Sequence, residues 1–296
     1  MTHVLRKLAG HRGSYALLST APSVARAVVF IHGFWGDAFT TWRQFQALID
    51  SSPEHVDETL DCDCYFYEFK TNKYSLGGHA DHCTKFIKNV FPLAEASLFR
   101  QKETPTLWRL LLSPLRLGID GLARDPKADL ERQFPLRYTG LTLVGHSMGG
   151  VIARAVLTKA LHTQLIGPSS NPYADSRLRL FAPAHAGFRQ GAAIATATAA
   201  NPLSALVYAF CLYQNRAYND LQVGSPVLGQ VETDTMALAG RFDSVGARVL
   251  WGLDENVVFD SSFTCDFELE RVPGQDHTSI CKPRSGYLLP LDHVFK

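Results

Sequence analysis

The chain has 296 residues, 46% hydrophobic and 19% charged, which is apolar enough for one large buried core. Its 29 basic and 28 acidic residues leave a net charge of +1, so the balance points to no nucleic acid partner and no strongly charged surface. No apolar stretch reaches membrane-spanning length, and residues 1–19 lack the apolar run of a secretory signal, so the expected location is cytoplasmic.

The predicted elements alternate between strand and helix, the pattern of a mostly parallel sheet with helices on both faces. Gly13–Ser19 reads as a short strand at a sheet edge, and Thr20–Ser23 as a turn. Ala27–Ile31 is a continuous apolar run, the mark of a strand covered on both faces. It ends in His32-Gly33-Phe34-Trp35-Gly36-Asp37, and Trp42–Ile49 reads as the following helix. Asp63–Lys70 is an aromatic-rich strand whose alternation puts Cys62 and Cys64 on one face. His79–Phe91 reads as a helix.

Residues 95–132 exceed what a strand-to-helix connection needs. Within them, 107–119 carry a mainly apolar stretch with Arg109, Ser113 and Arg116 on a narrow polar stripe. Three readings stay open: a core helix pair, a cap over the site, or a peripheral membrane contact. Leu141–Val144 reads as a buried strand, and Val151–Leu157 as a helix with Arg154 toward solvent. Leu178–Phe181 is the next strand, followed by an Ala-rich stretch at 191–200 and an apolar segment, Leu203–Tyr213. A second cap insertion is expected within 188–225. Val245–Trp251 is a late strand with Gly252–Val258 as its exit loop, and Phe263–Val272 is the last strand. There is no internal repeat, so 1–296 reads as a single domain. The six cysteines (62, 64, 83, 211, 265, 281) have no framework spacing and are expected as reduced thiols, and no second ligand pair with zinc spacing suggests a metal.

The chemistry concentrates at Gly145-His146-Ser147-Met148-Gly149-Gly150, between a strand and a helix. Gly-x-Ser-x-Gly in that context is a nucleophile elbow: a strained turn lifts the Ser147 hydroxyl out of the sheet at a helix N-terminus. A serine nucleophile needs a base, and the base needs a carboxylate to orient it. The expected chain order is Ser, then acid, then His, each at a strand exit. Ser147, then Asp254 or Glu255, then His277 satisfy it. Counting from Gly252, the spacing of a GxxDxxV exit favours Glu255 as acid, with Asp254 as the alternative. Backbone N–H groups of Phe34 and Met148 are the expected oxyanion donors. Among rival histidines, His185 precedes the acid, His293 follows no strand, and His146 points away from Ser147 by strand alternation. His32 reads as a brace for its loop.

These blocks, VVFIHGFWGD, Thr41-Trp42, LTLVGHSMGGVIAR, LFAPAHAG, WGLDENVV and GQDHTSICKP, run from about residue 26 to 284. They resemble the α/β-hydrolase superfamily, and more narrowly its lipase-like serine esterases, the group that includes the serine-active-site-containing proteins and the GPI inositol-deacylases. Ala182 stands where relatives often have Thr, and Glu255 where they often have Asp. The resemblance implies an α/β-hydrolase fold, hydrolysis of a carboxylic, lipid-like ester, and no cofactor. Expected partners are a small-molecule or lipid ester and, through 107–119, a membrane surface. A ligand-binding protein without catalysis, or an acyltransferase or thioesterase, would use the same frame.

Overall fold

Continuous apolar runs become the middle strands of one sheet, because a strand covered on both faces has no polar side to show. The computed structural model describes residues 3–49, 59, 61–99, 132–163, 171–189 and 215–296. The sheet contains β1 (His3–Lys7), β2 (Tyr15–Ser19), β3 (Arg26–Ile31) and β4 (Cys62–Tyr67). A separate two-stranded antiparallel sheet is formed by β5 (Leu93–Ala94) and β6 (Leu136–Arg137). The sheet continues with β7 (Gly140–His146), β8 (Arg177–Phe181), β9 (Ala247–Gly252) and β10 (Glu268–Val272). Spatial order is β1-β2-β4-β3-β7-β8-β9-β10. Only β2 runs against its neighbours β1 and β4; the pairs from β4 to β10 are parallel. This is the α/β-hydrolase fold.

The helices are α1 (Ala38–Ile49), α2 (Leu76–Val90), α3 (Ala96–Phe99), α4 (Met148–Thr163), α5 (Arg216–Asp220), α6 (Pro226–Ala239) and α7 (Leu289–Phe295). Strand alternation sorts them onto two faces. Phe30 packs its ring on Trp42 and Phe45 of α1. On the same face, two residues beyond Arg179, which is in register with Phe30 through Val144, Phe181 meets Phe45 and His293 of α7. The opposite face carries α4, packed between α2 and α6.

Parallel strands place all their carboxyl ends at one edge, so Ile31, His146, Phe181 and Gly252 open onto a common rim. The ends of the two long insertions fall at opposite edges. Leu93–Ala94 pairs with Leu136–Arg137, Thr139 N–H donates to Ala25 O, and Arg132 grips buried Asp63 at 2.8 and 3.0 Å. These contacts lie at the strands' amino ends. Phe188 N–H instead donates to Leu221 O, and Arg189 N–H to Val257 O, at the carboxyl-end rim. The cap and membrane readings of 107–119, the Ala-rich stretch 191–200 and the segment 203–213 fall outside the described residues.

Several expectations are corrected. The strand read from Gly13 is not the sheet edge: β1, buried only at His3 and alternating between half-buried (Val4, Arg6) and exposed (Leu5, Lys7) positions, lies outside it. α1 begins at Ala38, because Asp37 Oδ1 caps the N–H groups of Phe39 (2.9 Å) and Thr40 (2.7 Å). The last strand starts only at Glu268, since Phe263–Asp266 closes a turn, with Asp266 N–H on Phe263 O at 2.9 Å. That turn exists for Arg154, which faces inward and is fully buried. Arg154 donates from Nη1 to Val245 O and from Nη2 to Asp266 Oδ1, both at 2.6 Å, and its guanidinium lies 4.5 Å from the Phe263 ring centroid. A buried guanidinium is tolerable only when paired in this way.

Candidate active site

The turn after β7 sets the geometry. Ser147 has φ 55°, a left-handed conformation that a residue with a Cβ rarely adopts, and it is 2% exposed. Its neighbours hold the strain in place. Ser147 N–H donates to Phe181 O at 3.0 Å, while its carbonyl accepts from Gly150 N–H at 3.0 Å and Ala184 N–H at 3.2 Å. Gly149 is required by close approach: a Cβ there would stand 2.2 Å from Ile31 O. The other non-glycine residues with positive φ, Trp35 (56°) and Ala182 (39°), sit in the loops leaving β3 and β8. Among the described residues, backbone strain therefore gathers around one rim.

The loop after β3 runs directly beside Ser147, for a Cβ on Gly33 would lie 2.9 Å from Ser147 Cβ. Among the described residues no acceptor takes the Phe34 N–H, and the Met148 N–H, first in α4, has no partner within its helix. The two expected oxyanion donors thus belong to the loop beside the serine and to the residue that follows it. His32 braces this loop from below. Its Nδ1 donates to Gly33 O at 2.9 Å, leaving Nε2 to accept from Phe69 N–H at 3.4 Å, and its ring stacks on Phe69. Burial drives the His32 pKa down to about 4, so the brace is a neutral imidazole.

The exit loops of β9 and β10 bring the acid and base together. His277 Nδ1 donates to Glu255 Oε2 at 2.8 Å. Glu255 Oε1 is held in turn by Val257 N–H at 2.7 Å and Val258 N–H at 3.0 Å. Burial alone would raise the Glu255 pKa; the His277 bond, its charge and the two N–H groups outweigh burial and hold it below the usual carboxylate range. Asp254, the alternative acid, is exposed, and only its backbone N–H joins the loop, donating to Gln275 O at 3.1 Å. With its proton on Nδ1, the His277 imidazole has Nε2 free to accept. The Ser147 hydroxyl is not hydrogen-bonded to His277 here; such contacts commonly tighten when substrate binds.

Other histidines take places the sequence reading did not give them. Alternation does put His146 on the face opposite α4, but the His277 loop comes down on that same face. The His146 ring lies 4.8 Å from the His277 ring, and its Nε2 is 2.7 Å from His277 O. His185 is buried against Phe263, with centroids 4.7 Å apart, and burial pushes its pKa well down. His293, which follows no strand, belongs to α7 and is buried on Phe181. An aromatic cluster beside Phe34 also escaped the sequence reading. Phe34 is 6.0 Å from Phe188, 6.1 Å from Tyr218 and 5.1 Å from Trp35, and Phe188 stacks on Tyr218 at 5.9 Å. The only signal was the position of Phe188 just after Gly187 in a strand-exit loop.

No protein-family model matches the chain. No curated protein sequence matches it either. Similar solved structures exist. The N-acyl homoserine lactonase AidH, solved with N-butanoyl homoserine, is 12% identical at TM-score 0.48, covering 99% of this chain and 95% of that one. A peroxisomal α/β-hydrolase of Saccharomyces cerevisiae is 12% identical at TM-score 0.41, covering 90% and 76%. Phospholipase PlaB of Legionella pneumophila is 13% identical at TM-score 0.41; 78% of this chain aligns, spanning 39% of that longer protein. The fold of this chain is defined by its own strand order and by the turn at Ser147.

Proposed function

We propose that this protein is a serine hydrolase that cleaves carboxylic esters carrying an apolar arm. The observation that carries the reading is the pairing of a strained, left-handed Ser147 with a His277–Glu255 hydrogen bond at the same sheet rim. His277 Nε2 takes the hydroxyl proton as Ser147 Oγ adds to the ester carbonyl. The N–H groups of Phe34 and Met148 take the developing oxyanion, each worth roughly 3 kcal/mol. Collapse of the tetrahedral intermediate breaks the bond to the alcohol, which leaves with the proton from His277, and the acyl group stays on Ser147. Water, deprotonated by His277, then adds to the acyl carbonyl; the bond from the acyl carbon to Ser147 Oγ breaks, Oγ takes the proton from His277, and the acid is released. Glu255 keeps the imidazole oriented and stabilises its charge in both halves. The Phe34, Phe188, Tyr218 and Trp35 rings favour an apolar substituent on the substrate.

The test is steady-state hydrolysis of p-nitrophenyl esters from acetate upward by the wild type and by Ser147→Ala. The expected result is turnover by the wild type, rising with chain length, and loss of nearly all of it in the variant. Equal rates for the two folded proteins would refute the reading.

A further inference from the structure

The residue immediately before Ser147 touches the residue proposed as its base. His146 Nε2 lies 2.7 Å from His277 O. A carbonyl oxygen only accepts, so Nε2 carries the proton and donates it. The ring is buried and stays neutral: burial and the nearby His277 push its pKa down to about 3.

The two sides of the His277 loop are fixed differently. On the acid side, Asp254 N–H donates to Gln275 O at 3.1 Å and Glu255 holds the imidazole itself. Inside the loop, Asp276 Oδ1 caps the N–H groups of Thr278 (2.9 Å) and Ser279 (2.7 Å), and its own N–H donates to Ser279 Oγ at 2.9 Å. These bonds shape the loop and tie it to the acid, but none of them relates it to the nucleophile. Among the described residues, the bond from His146 is the hydrogen bond that joins the nucleophile strand to this loop.

We propose that His146 is a positioning residue: by holding the carbonyl of His277 from the position next to Ser147, it sets where the base stands relative to the nucleophile. The inference rests on the serine-hydrolase reading above. A rigid strand end then supplies both the attacking group and the ruler that spaces its base. Loss of the donor displaces His277 without removing any group that meets substrate, so it lowers the chemical step and leaves ground-state binding alone. A displacement on the order of 1 Å costs about 100-fold in such geometries.

The experiment compares His146→Phe, which fills the space without a donor, with His146→Gln, whose amide N–H extends toward the same carbonyl, and His146→Asn, whose amide is one methylene shorter. Each is assayed for kcat and KM on p-nitrophenyl acetate, for the rate of fluorophosphonate adduct formation by intact mass, and for Tm. Expected are a roughly 10- to 100-fold fall in kcat and labelling rate for Phe and Asn, with KM within about twofold, and recovery by Gln to within about fivefold of wild type. Should Phe fail to fold, the contrast of Gln with Asn carries the same test. Wild-type kcat in His146→Phe, or equal losses in folded Gln and Asn variants, would overturn the proposal. A folded wild type that neither turns over the acetate ester nor takes up label would instead refute the hydrolase reading, and this inference with it.

Discussion

Replacing Glu255 by Gln removes one charge from the proposed site and keeps the shape of the side chain. The Gln carbonyl can still accept the Val257 and Val258 N–H bonds that Glu255 Oε1 now takes, so the loop keeps its anchors. What is lost is attraction for the imidazolium that forms in the transition state. At the observed N···O distance of 2.8 Å, and an effective dielectric constant of about 20, that attraction is about 6 kcal/mol. Each 1.36 kcal/mol is tenfold in rate, so the full amount corresponds to about 10⁴-fold. Part of it is already present as a hydrogen bond to the neutral ring, and about 10³- to 10⁴-fold is the expected loss in kcat. With its carbonyl on the Val257 and Val258 N–H groups, the amide presents its NH₂ to Nδ1 and favours the wrong tautomer, which acts in the same direction. Asp254→Asn, at an exposed carboxylate, should leave kcat within about twofold. The assay is kcat on a short-chain ester for both variants, with circular dichroism to establish folding. A large loss in Asp254→Asn together with a small one in Glu255→Gln would refute the assignment of the acid.

Three further outcomes are expected. Arg154→Met strands the buried Asp266 carboxylate and should cost about 3–5 kcal/mol in urea unfolding, with partial recovery on adding Asp266→Asn; an unchanged midpoint would contradict the buried pair. Stability should fall as pH drops below 6.5, because His32 (about 4), His146 (about 3) and His293 (about 3) all titrate below the 6.5 of an exposed imidazole. The unfolded chain then binds more protons through that window, so stability is complete above 6.5 and lost toward the folded values; at pH 5 the loss is roughly 2 kcal/mol per histidine, and a flat unfolding free energy between pH 7 and 5 would contradict it. Phe188→Ala should leave acetate ester turnover near wild type and cut the preference for octanoate over acetate by roughly tenfold, the worth of about 1–2 kcal/mol of lost apolar contact; an unaltered chain-length profile would remove Phe188 from the substrate wall.

The proposed site was legible wherever its logic is local. Gly145-x-Ser147-x-Gly149 between an apolar run and a helix fixes the turn, because close packing against Ile31 O excludes a Cβ at Gly149. The order of Ser147, Glu255 and His277 at strand exits is likewise written along the chain. What escaped depends on contacts between distant residues. A helical wheel reads Arg154 as a solvent residue, since nothing near it in sequence announces Asp266, 112 positions away. Alternation separates His146 from Ser147 but is silent on which loop covers the other face. α6 was missed because its mix of Thr, Gly and Asp residues gives little amphipathic signal, although Ser225 caps it and Pro226 opens it. β1 was missed because its adjacent charges, Arg6 and Lys7, suit an edge strand and leave only Val4 and Leu5 as an apolar signal.

The most direct measurement is intact mass after incubation with a fluorophosphonate, on the wild type and on Ser147→Ala, followed by peptide mapping. The account predicts one adduct per wild-type chain, mapped to Ser147, and none on the folded variant. A folded wild type that takes up no adduct, or one whose adduct persists in Ser147→Ala, would contradict it.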